Sequence, residues 1–308
     1  MQRIIIICGP TASGKTRAGI ELAKHIGGEI VSADSQQVWR GFDIGTAKPA
    51  PEERVAVPHH LIDVADPAEQ FDAARFVELA DRAIADIASR GRVPIVVGGT
   101  GMYLRMLVHG FCSAPPRDPE IRARLEAEIE NGGLDRLYKQ LLEVDPESAA
   151  KIKPNDTARI IRALEIHRIS GVAASRLRNK HNFSERRYAA AQIGLSIERA
   201  ELYRRIDVRV DRMIEAGLVD EVRRLRLQYG DGVQPFAAVG YKELAAHLRG
   251  ECDFETAVSL IKRNTRRYAK RQMTWFRADS NIRWISSEND AAIAEKIAAF
   301  CGYPVLTA

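Results

Sequence analysis

The sequence predicts an α/β fold, in which a parallel β-sheet is flanked by helices and carries an all-helical insertion. Over the first 110 residues, short β-branched runs alternate with amphipathic helical stretches, a pattern typical of parallel sheets. Beyond residue 117 this alternation stops, and the chain is charged and helical until a short apolar run near 195. We therefore predict an α/β core over 1–116 and 196–308, with 117–195 as an inserted helical subdomain.

The predicted elements follow one another in a regular order. Strands are predicted from apolar, β-branched runs at 4–8, 29–34, 58–63, 93–97, 192–195 and 281–286. Helices are predicted from helical periodicity at 17–25, 70–90, from 102 onward, 119–175, 198–216, 219–229, 241–249 and 254–277. This order places the carboxyl ends of the strands at one edge of the sheet, where α/β proteins bind their ligands.

The first strand leads into GPTASGKT, which fits the P-loop pattern G-x-x-x-x-G-K-[ST]. Gly9 and Gly14 let the backbone curl so that successive N–H groups face one concavity, at the N-terminus of the next helix. Lys15 supplies a mobile positive charge, and the Thr16 hydroxyl is a ligand for the Mg²⁺ that accompanies a phosphate chain. The sequence thus predicts a P-loop NTPase-like sheet with a di- or triphosphate site at Gly9, Pro10, Thr11, Ala12, Ser13, Gly14, Lys15 and Thr16.

Asp34, at the end of the second strand, is the first candidate for the chemistry. We expect it at the end of the strand next to the one that leads into the P-loop. There it would bind Mg²⁺ through water, accept a proton from a nucleophile, or only cap a helix. The fourth strand ends in Gly98 and Gly99, whereas P-loop ATPases place there an aspartate that holds Mg²⁺. This difference argues against ATP hydrolysis.

Arg205 and Arg209 are spaced to share one face of a helix. Such a pair would clamp a diphosphate. The alternative is that both side chains lie in water, paired with Asp207 and Asp211. The spacing alone leaves both possibilities open.

Positive charge is concentrated in two segments. Residues 150–190 hold ten Lys and Arg against three acids, and residues 262–277 hold seven and no acid. Because the net charge of the whole chain is only +5, the rest of the chain is acidic. We therefore predict a polyanionic partner, with aromatic side chains between the cations of 262–277 able to stack on RNA bases.

Several classes of protein are excluded by composition. Apolar residues make up 45% and charged residues 28%, as in ordinary globular proteins, and no apolar run approaches the length of a membrane span. The four cysteines are scattered without a C-x-x-C pair, so neither a zinc site nor a disulfide framework is predicted. We expect a cytoplasmic protein, with a first strand too near the N-terminus to leave room for a signal peptide.

Taken together, the motifs resemble those of the bacterial tRNA isopentenyltransferase, or tRNA dimethylallyltransferase, family. The runs that carry the resemblance are spread over nearly the whole chain: GPTASGKT (9–16), SADSQQVWRGFDIGTAKP (32–49), PHHLID (58–63), GGTGMY (98–103), NDTARIIRALEI (155–166), RIDVRVDRMIEAGLVDEV (205–222), VGYKEL (239–244) and TRRYAKRQMTWFR (265–277). The sequence departs from the family pattern at Trp39, where tyrosine is usual, and at Ala237, where arginine is frequent.

The resemblance implies transfer of a dimethylallyl group from dimethylallyl diphosphate to N6 of the adenosine immediately 3′ of the anticodon, by a Mg²⁺-dependent enzyme acting as a monomer on the anticodon stem-loop. It implies that the P-loop grips the isoprenoid diphosphate, that Asp34 is the general base, that Lys15 and Thr16 are phosphate and Mg²⁺ ligands, and that Thr100 lines the reaction channel. It also implies tRNA contacts at Asp34, Ser35, Gln36, Gln37, Gly101, Ala123, Ala158, Arg159, Ile160, Ile161, Arg162, Ala237, Ala238, Val239, Gly240, Tyr241, Lys242, Lys270, Arg271, Gln272 and Arg277.

Two other functions remain as alternatives. One is a P-loop small-molecule kinase or adenylate isopentenyltransferase, and the other is an RNA-binding NTPase module without transfer chemistry. The two basic segments and the helical insertion argue against a small nucleotide acceptor. The missing strand-end aspartate argues against an NTPase.

Overall fold

The computed structural model describes residues 1–111, 114–287 and 292–303. The strands are β1 (Arg3–Cys8), β2 (Gly28–Ser32), β3 (His59–His60), β4 (Val93–Gly98), β5 (Ala189–Ser196) and β6 (Arg283–Ser286). The helices are α1 (Lys15–Ile26), α2 (Pro51–Ala56), α3 (Ala73–Ser89), α4 (Gly101–His109), α5 (Pro119–Gly132), α6 (Leu134–Val144), α7 (Pro146–Lys151), α8 (Thr157–Ser170), α9 (Ala174–His181), α10 (Arg199–Glu215), α11 (Leu218–Tyr229), α12 (Tyr241–Leu248), α13 (Phe254–Arg277) and α14 (Ile293–Phe300). A short 3₁₀-helix covers Gln234–Ala237.

The six strands form one parallel sheet in the order β3-β2-β4-β1-β5-β6. This confirms the predicted parallel sheet flanked by helices. β3 is shorter than the predicted strand 58–63, because Leu61 and Asp63 adopt positive φ angles of 64° and 59° that end the extended backbone.

β1 lies inside the sheet between β4 and β5, and both of its faces are covered. Ile4 and Ile6 belong to the apolar core on one face, while Ile5 and Ile7 belong to the core on the other. All four side chains are almost fully buried, as the continuous apolar run predicted. A rigid, buried strand therefore leads directly into the P-loop.

Asp34 is placed differently from the prediction, because β4 lies between β1 and β2. The chain nevertheless continues from β2 along the end of β4, where the Ala33 N–H donates to the Val97 carbonyl at 2.8 Å. A Cβ atom at Gly98 would lie 2.1 Å from the Ala33 carbonyl oxygen, so only glycine allows this close passage. The glycine that ends β4 thus permits the path that brings Asp34 towards the P-loop.

The chain divides into two compact units, one formed by 1–108 and 187–308 and the other by His109–Arg186. The helical unit contains α5–α9 around its own apolar core, which includes Leu137, Leu141 and Ile160. Its bounds differ from the predicted 117–195, since β5 pairs with β1 from Ala189 onward and thereby belongs to the sheet. Within the described residues, no helix is long and apolar enough to cross a membrane.

Candidate active site

A cavity of about 600 Å³ lies at the carboxyl edge of the sheet, and the larger unit alone supplies its walls. The P-loop and the end of β4 form one side, and the segments 34–37 and 45–49 form another. α10, α12 and α13 contribute Arg209, Lys242, Tyr268 and Gln272. The cavity thus brings together elements that are more than 200 residues apart in the sequence.

The P-loop has the backbone conformation that its glycines were predicted to allow. Gly9 has φ 152°, and an added Cβ would lie 3.0 Å from both the Leu195 carbonyl oxygen and the Ser13 hydroxyl. Gly14 has φ 87° and precedes the first turn of α1, which has no side-chain cap. The Lys15 and Thr16 N–H groups belong to this first turn and remain available to an anion.

Two cations face this loop. The Lys15 ammonium donates a hydrogen bond to the Pro10 carbonyl at 3.3 Å, and Nη1 of Arg209 donates to the Thr11 hydroxyl at 3.3 Å. Burial lowers the pKa of Lys15 from 10.5 to about 8, although the nearby Asp34 carboxylate opposes this and Arg209 adds to it. Burial likewise lowers the pKa of Arg209, again opposed by Asp34. Both groups are thus desolvated cations close to one carboxylate, which favours binding of a further anion.

Asp34 is half-buried on the cavity wall, and one of its oxygens is already in use. Oδ1 accepts the Gln36 N–H at 2.9 Å, while Ser35 N–H donates to the Thr100 hydroxyl at 3.0 Å. These two bonds fix the turn at 34–36 and leave the Asp34 Oδ2 without a hydrogen bond among the described residues. Thr100 thus contacts this turn through the Ser35 N–H, and its predicted place in the reaction channel stays a prediction.

Gln272 connects α13 to two loops of the site. Its Oε1 accepts the Thr11 N–H at 2.8 Å, and its Nε2 donates to the Gly99 carbonyl at 2.9 Å. The side chain is only 6% exposed, and an added Cβ at Gly99 would lie 2.3 Å from Nε2. A single amide thereby fixes the P-loop relative to the loop that follows β4.

Comparison with known proteins decides the family. Residues 37–279 match a family model described as IPP transferase, and residues 2–63 match one described as isopentenyl transferase. The chain belongs to the IPP transferase family. This confirms the resemblance found in its motifs, and with it a transferase with a P-loop NTPase-like fold.

Relatives of this IPP transferase are similar over almost their whole length. It is 52% identical to the tRNA dimethylallyltransferase of Anaeromyxobacter dehalogenans over 96% of this chain and 99% of that protein. A solved structure, the full-length tRNA isopentenylpyrophosphate transferase from Bacillus halodurans, is 42% identical with a TM-score of 0.73, covering 98% of this chain and 96% of that one. Another, a eukaryotic dimethylallyltransferase acting on tRNA, is 28% identical with a TM-score of 0.82, covering 100% and 81%.

The arginine clamp predicted in this IPP transferase is only half formed. Arg209 reaches the P-loop, but Nε of Arg205 donates to Glu201 one turn away on α10 at 2.8 Å. Asp207 and Asp211 pair with neither arginine, because they bind Arg266 and Lys262 of α13. Arg205 thus does not line the cavity, and two of the seven cations of 262–277 are balanced by acids after all.

The residues predicted to contact tRNA fall into three groups by their exposure. Some side chains are exposed, and their RNA contacts stay predictions: Ala123, Ala158, Arg159, Ala237, Lys242, Lys270, Arg271 and Arg277. Others are buried: Gln37, Ile160, Ile161, Gly240, Tyr241 and Gln272. Gln37, Gly240 and Gln272 nevertheless line the cavity, and RNA contacts of this group stay predictions too. Ser35, Gln36, Gly101, Ala238 and Val239 are half-buried. Arg162 is half-buried too, and its guanidinium donates to the buried Glu165 at 2.7 Å and to the Pro115 carbonyl at 2.7 Å.

Glu221 is a site residue that the sequence did not reveal. Its buried carboxylate accepts the N–H groups of Asp43, Ile44 and Gly45 at 2.9–3.3 Å and the Tyr241 hydroxyl at 2.6 Å. Tyr241 is packed against Phe42, and an added Cβ at Gly45 would lie 2.5 Å from the Tyr241 ring. Glu221 and Tyr241 therefore hold one wall of the cavity, 45–49, in place.

We expect Gln272→Leu to weaken binding of inorganic diphosphate about tenfold, because the Thr11 N–H and the Gly99 carbonyl would lose a buried partner and the P-loop would relax. The measurement is calorimetric titration of the folded variant. Gln234→Leu is the matched control, since Gln234 also bridges a backbone N–H and carbonyl, both of Phe71, away from the cavity. An equal loss in both variants, or none in Gln272→Leu, would remove Gln272 from the diphosphate site.

Proposed function

We propose that this IPP transferase moves a dimethylallyl group from dimethylallyl diphosphate to N6 of the adenosine immediately 3′ of the anticodon in tRNA. The observation that carries the proposal is the convergence of the P-loop, two desolvated cations and the Asp34 carboxylate on one cavity. A P-loop grips a phosphate chain, and a carboxylate beside it can take a proton. The names of the relatives supply the identity of the transferred group and of the acceptor RNA.

The diphosphate half of the site stabilises the leaving group. Breaking the allylic C–O bond leaves both bonding electrons on the departing diphosphate and positive charge on the allylic carbon. The first turn of α1, Lys15 and Arg209 present positive charge and hydrogen-bond donors to that diphosphate. Removing one such donor from an enzyme site typically costs a factor of ~10²–10³ in rate.

The carboxylate half of the site receives the proton. The N6 lone pair forms the new C–N bond, after which the nitrogen is cationic and a strong acid. Asp34 accepts that proton through the oxygen that the Gln36 N–H does not occupy. A carboxylate is too weak a base to deprotonate an adenine amine beforehand, so Asp34 orients the N–H and takes the proton as the bond forms.

Mg²⁺ fits the oxygen donors that the cavity offers. The Thr16 hydroxyl lines the cavity, and within 1–111, 114–287 and 292–303 no group of three or more His, Cys, Asp and Glu could hold a metal alone. Such a site suits an ion that keeps several waters and shares the phosphate oxygens. Thr16 would hold it, and when bound it would offset negative charge on the diphosphate.

The RNA half of the proposal rests on charge and on the nature of the acceptor. Lys270, Arg271 and Arg277 are exposed on α13 without an acidic partner among the described residues, and such side chains suit phosphate groups. An unpaired adenosine of a loop can leave its stack at modest cost and enter the cavity. We further propose that the enzyme acts as a monomer and that it lies in the cytoplasm with its tRNA substrate.

The test of this proposal is incubation with labelled dimethylallyl diphosphate and either bulk tRNA or AMP. Label in tRNA, at an adenosine 3′ of the anticodon, is the expected result. Label in AMP alone would favour an adenylate isopentenyltransferase, a function that the match of residues 2–63 also admits. No transfer to either acceptor would contradict both.

We further expect Lys270→Ala/Arg271→Ala to weaken tRNA binding and to lower the slope of log K against log salt by about 0.7–0.9 for each phosphate that the variant no longer neutralises. The measurement is tRNA affinity at several salt concentrations, together with diphosphate affinity, which should barely change. Lys24→Ala/Arg82→Ala is the control, because it removes the same charge from two exposed side chains paired on their own helices. Equal slopes for the two double variants would remove this face of α13 from the RNA interface.

A further inference from the structure

α10 and α13 run in opposite directions where they pack against each other beside the cavity. Asp207 of α10 binds Arg266 of α13 at 2.5 Å, and Asp211 binds Lys262 at 2.6 Å. Four residues forward on α10 thus correspond to four residues back on α13. Residue numbers therefore rise on one helix and fall on the other as the cavity is followed along them.

This arrangement gives the cavity a polar end and an apolar end. At the polar end, Arg209 and Gln272 both bind Thr11 of the P-loop. One turn beyond Arg209 on α10 stands Met213, and the pairing of the two helices places Ile261 of α13 opposite it. The apolar residues that line the cavity at this end are Val210, Met213, Leu218 and Ile261. The steps of the proposed transfer use only the polar end.

Met213 is the residue of the apolar end that stands between the packed core and the open space. Val210, Leu218 and Ile261 are at most 2% exposed, whereas Met213 is half-buried. Met213 lies four residues beyond Arg209, which is about 6 Å along the helix axis. A group attached to a diphosphate at Arg209 would therefore meet the thioether after about this length.

The dimethylallyl group matches this distance. Oxygen leaves one face of the allylic carbon while N6 approaches the other, so the hydrocarbon tail must extend sideways from the line of reaction. Four bonds of about 1.5 Å separate the bridging oxygen from a terminal methyl carbon, a reach of about 5 Å. Burial and the nearby Asp34 carboxylate raise the pKa of Tyr268, one turn before Gln272, so Asp34 lies beside the polar end. The methyl groups would thus lie against Met213 while the allylic carbon stays close to Asp34.

We propose that Met213 closes the apolar end of the cavity and limits the transferred prenyl group to five carbons. The proposal rests on the proposed function and adds to it the residue that selects the prenyl donor. Met213 acts by its volume, because a longer tail would have to displace side chains that are already closely packed. The class of compound that it rejects is a prenyl diphosphate with a longer apolar chain.

The transfer test compares dimethylallyl diphosphate with 3-methylpent-2-enyl diphosphate, which carries one more carbon at its end. With tRNA as acceptor, wild type should prefer dimethylallyl diphosphate ~10–200-fold in kcat/KM, the usual selectivity for one methylene in an apolar pocket. Met213→Ala should lower this preference about tenfold, whereas Met213→Leu, which keeps most of the volume, should retain it. Met106→Ala is the matched control, since Met106 is also a half-buried methionine against the same apolar core but does not line the cavity.

Binding gives a readout that does not depend on the reaction. Analogues of both donors with sulfur in place of the bridging oxygen are titrated without RNA, and inorganic diphosphate serves as the ligand without a tail. Wild type should prefer the dimethylallyl analogue, Met213→Ala should lose this preference, and both should bind inorganic diphosphate equally.

Three results of this titration would overturn the proposal: wild type binds both analogues equally, Met213→Ala keeps the wild-type preference, or Met106→Ala loses as much of it. If the preference in binding is as expected but nothing is transferred to tRNA, the proposed reaction is contradicted and the role of Met213 in donor selection stands.

Discussion

Asp34→Asn is expected to slow single-turnover transfer ~10²–10⁴-fold, the usual contribution of a positioned proton acceptor. The amide keeps the shape of the carboxylate, and its oxygen can still accept the Gln36 N–H, so the turn at 34–36 should persist. It cannot take the proton released as N6 becomes cationic. Affinities for tRNA and for dimethylallyl diphosphate should both stay within a few-fold of wild type.

The matched control for this variant is Asp66→Asn. Oδ1 of Asp66 also accepts the N–H two residues on, that of Ala68 at 3.0 Å, but Asp66 does not line the cavity. It should transfer at the wild-type rate. A loss in Asp34→Asn confined to tRNA affinity, with the rate unchanged once tRNA saturates, would mean that Asp34 positions RNA and accepts no proton.

The sequence predicted those parts of the site whose conformation depends only on neighbouring residues in the chain. The P-loop is a contiguous motif whose glycines fix its own conformation, and Asp34 lies two residues beyond the end of β2. The prediction misplaced that strand by one position, because the order of strands is set by which of them pair and not by the order of the chain. Asp34 still reaches the cavity, since the chain passes closely over Gly98.

Arg205 and Arg209 of α10 show that the spacing of two residues along a helix does not decide which partners their side chains bind. Both lie on one face, but Glu201 stands four residues before Arg205, in the favoured orientation for a helical ion pair, and no acid stands four before Arg209. This difference was readable in the sequence. The pairing of Asp207 with Arg266 was not, because it depends on how α10 packs against α13.

Gln272 and Glu221 likewise show that a sequence can indicate which residues are buried but not which distant residues they contact. Ile261, Ala269, Gln272 and Phe276 follow the helical period of the buried face of α13, so the burial of Gln272 could have been predicted from the pattern. Its partners, Thr11 and Gly99, lie 261 and 173 residues away, and no local signal identifies them. The four donors that meet on Glu221 are likewise brought together only by tertiary packing.

Lys15→Ala should lower kcat/KM for dimethylallyl diphosphate ~10²–10³-fold, because the variant loses a buried cation at the position where the departing diphosphate gains charge. Binding of inorganic diphosphate, measured in EDTA so that no metal contributes, should weaken as well. Lys24→Ala is the control on the same helix, since Lys24 is exposed and pairs with Glu21. Similar losses in both variants would mean that α1 is merely destabilised.

The pH dependence separates the charge of Lys15 from its volume. Burial holds the pKa of Lys15 at about 8 in the free protein, and a bound diphosphate favours the protonated form. Below pH 8 the cation is present, and its contribution to the affinity for diphosphate should be steady. Above pH 8 a proton must be taken up on binding, so this contribution should fall, approaching tenfold per pH unit. Because diphosphate itself ionises in this range, Lys15→Ala is titrated in parallel between pH 7.5 and 9.5, and the ratio of the wild-type Kd to the variant Kd should rise with pH. A ratio that stays constant would assign the titrating group to another residue.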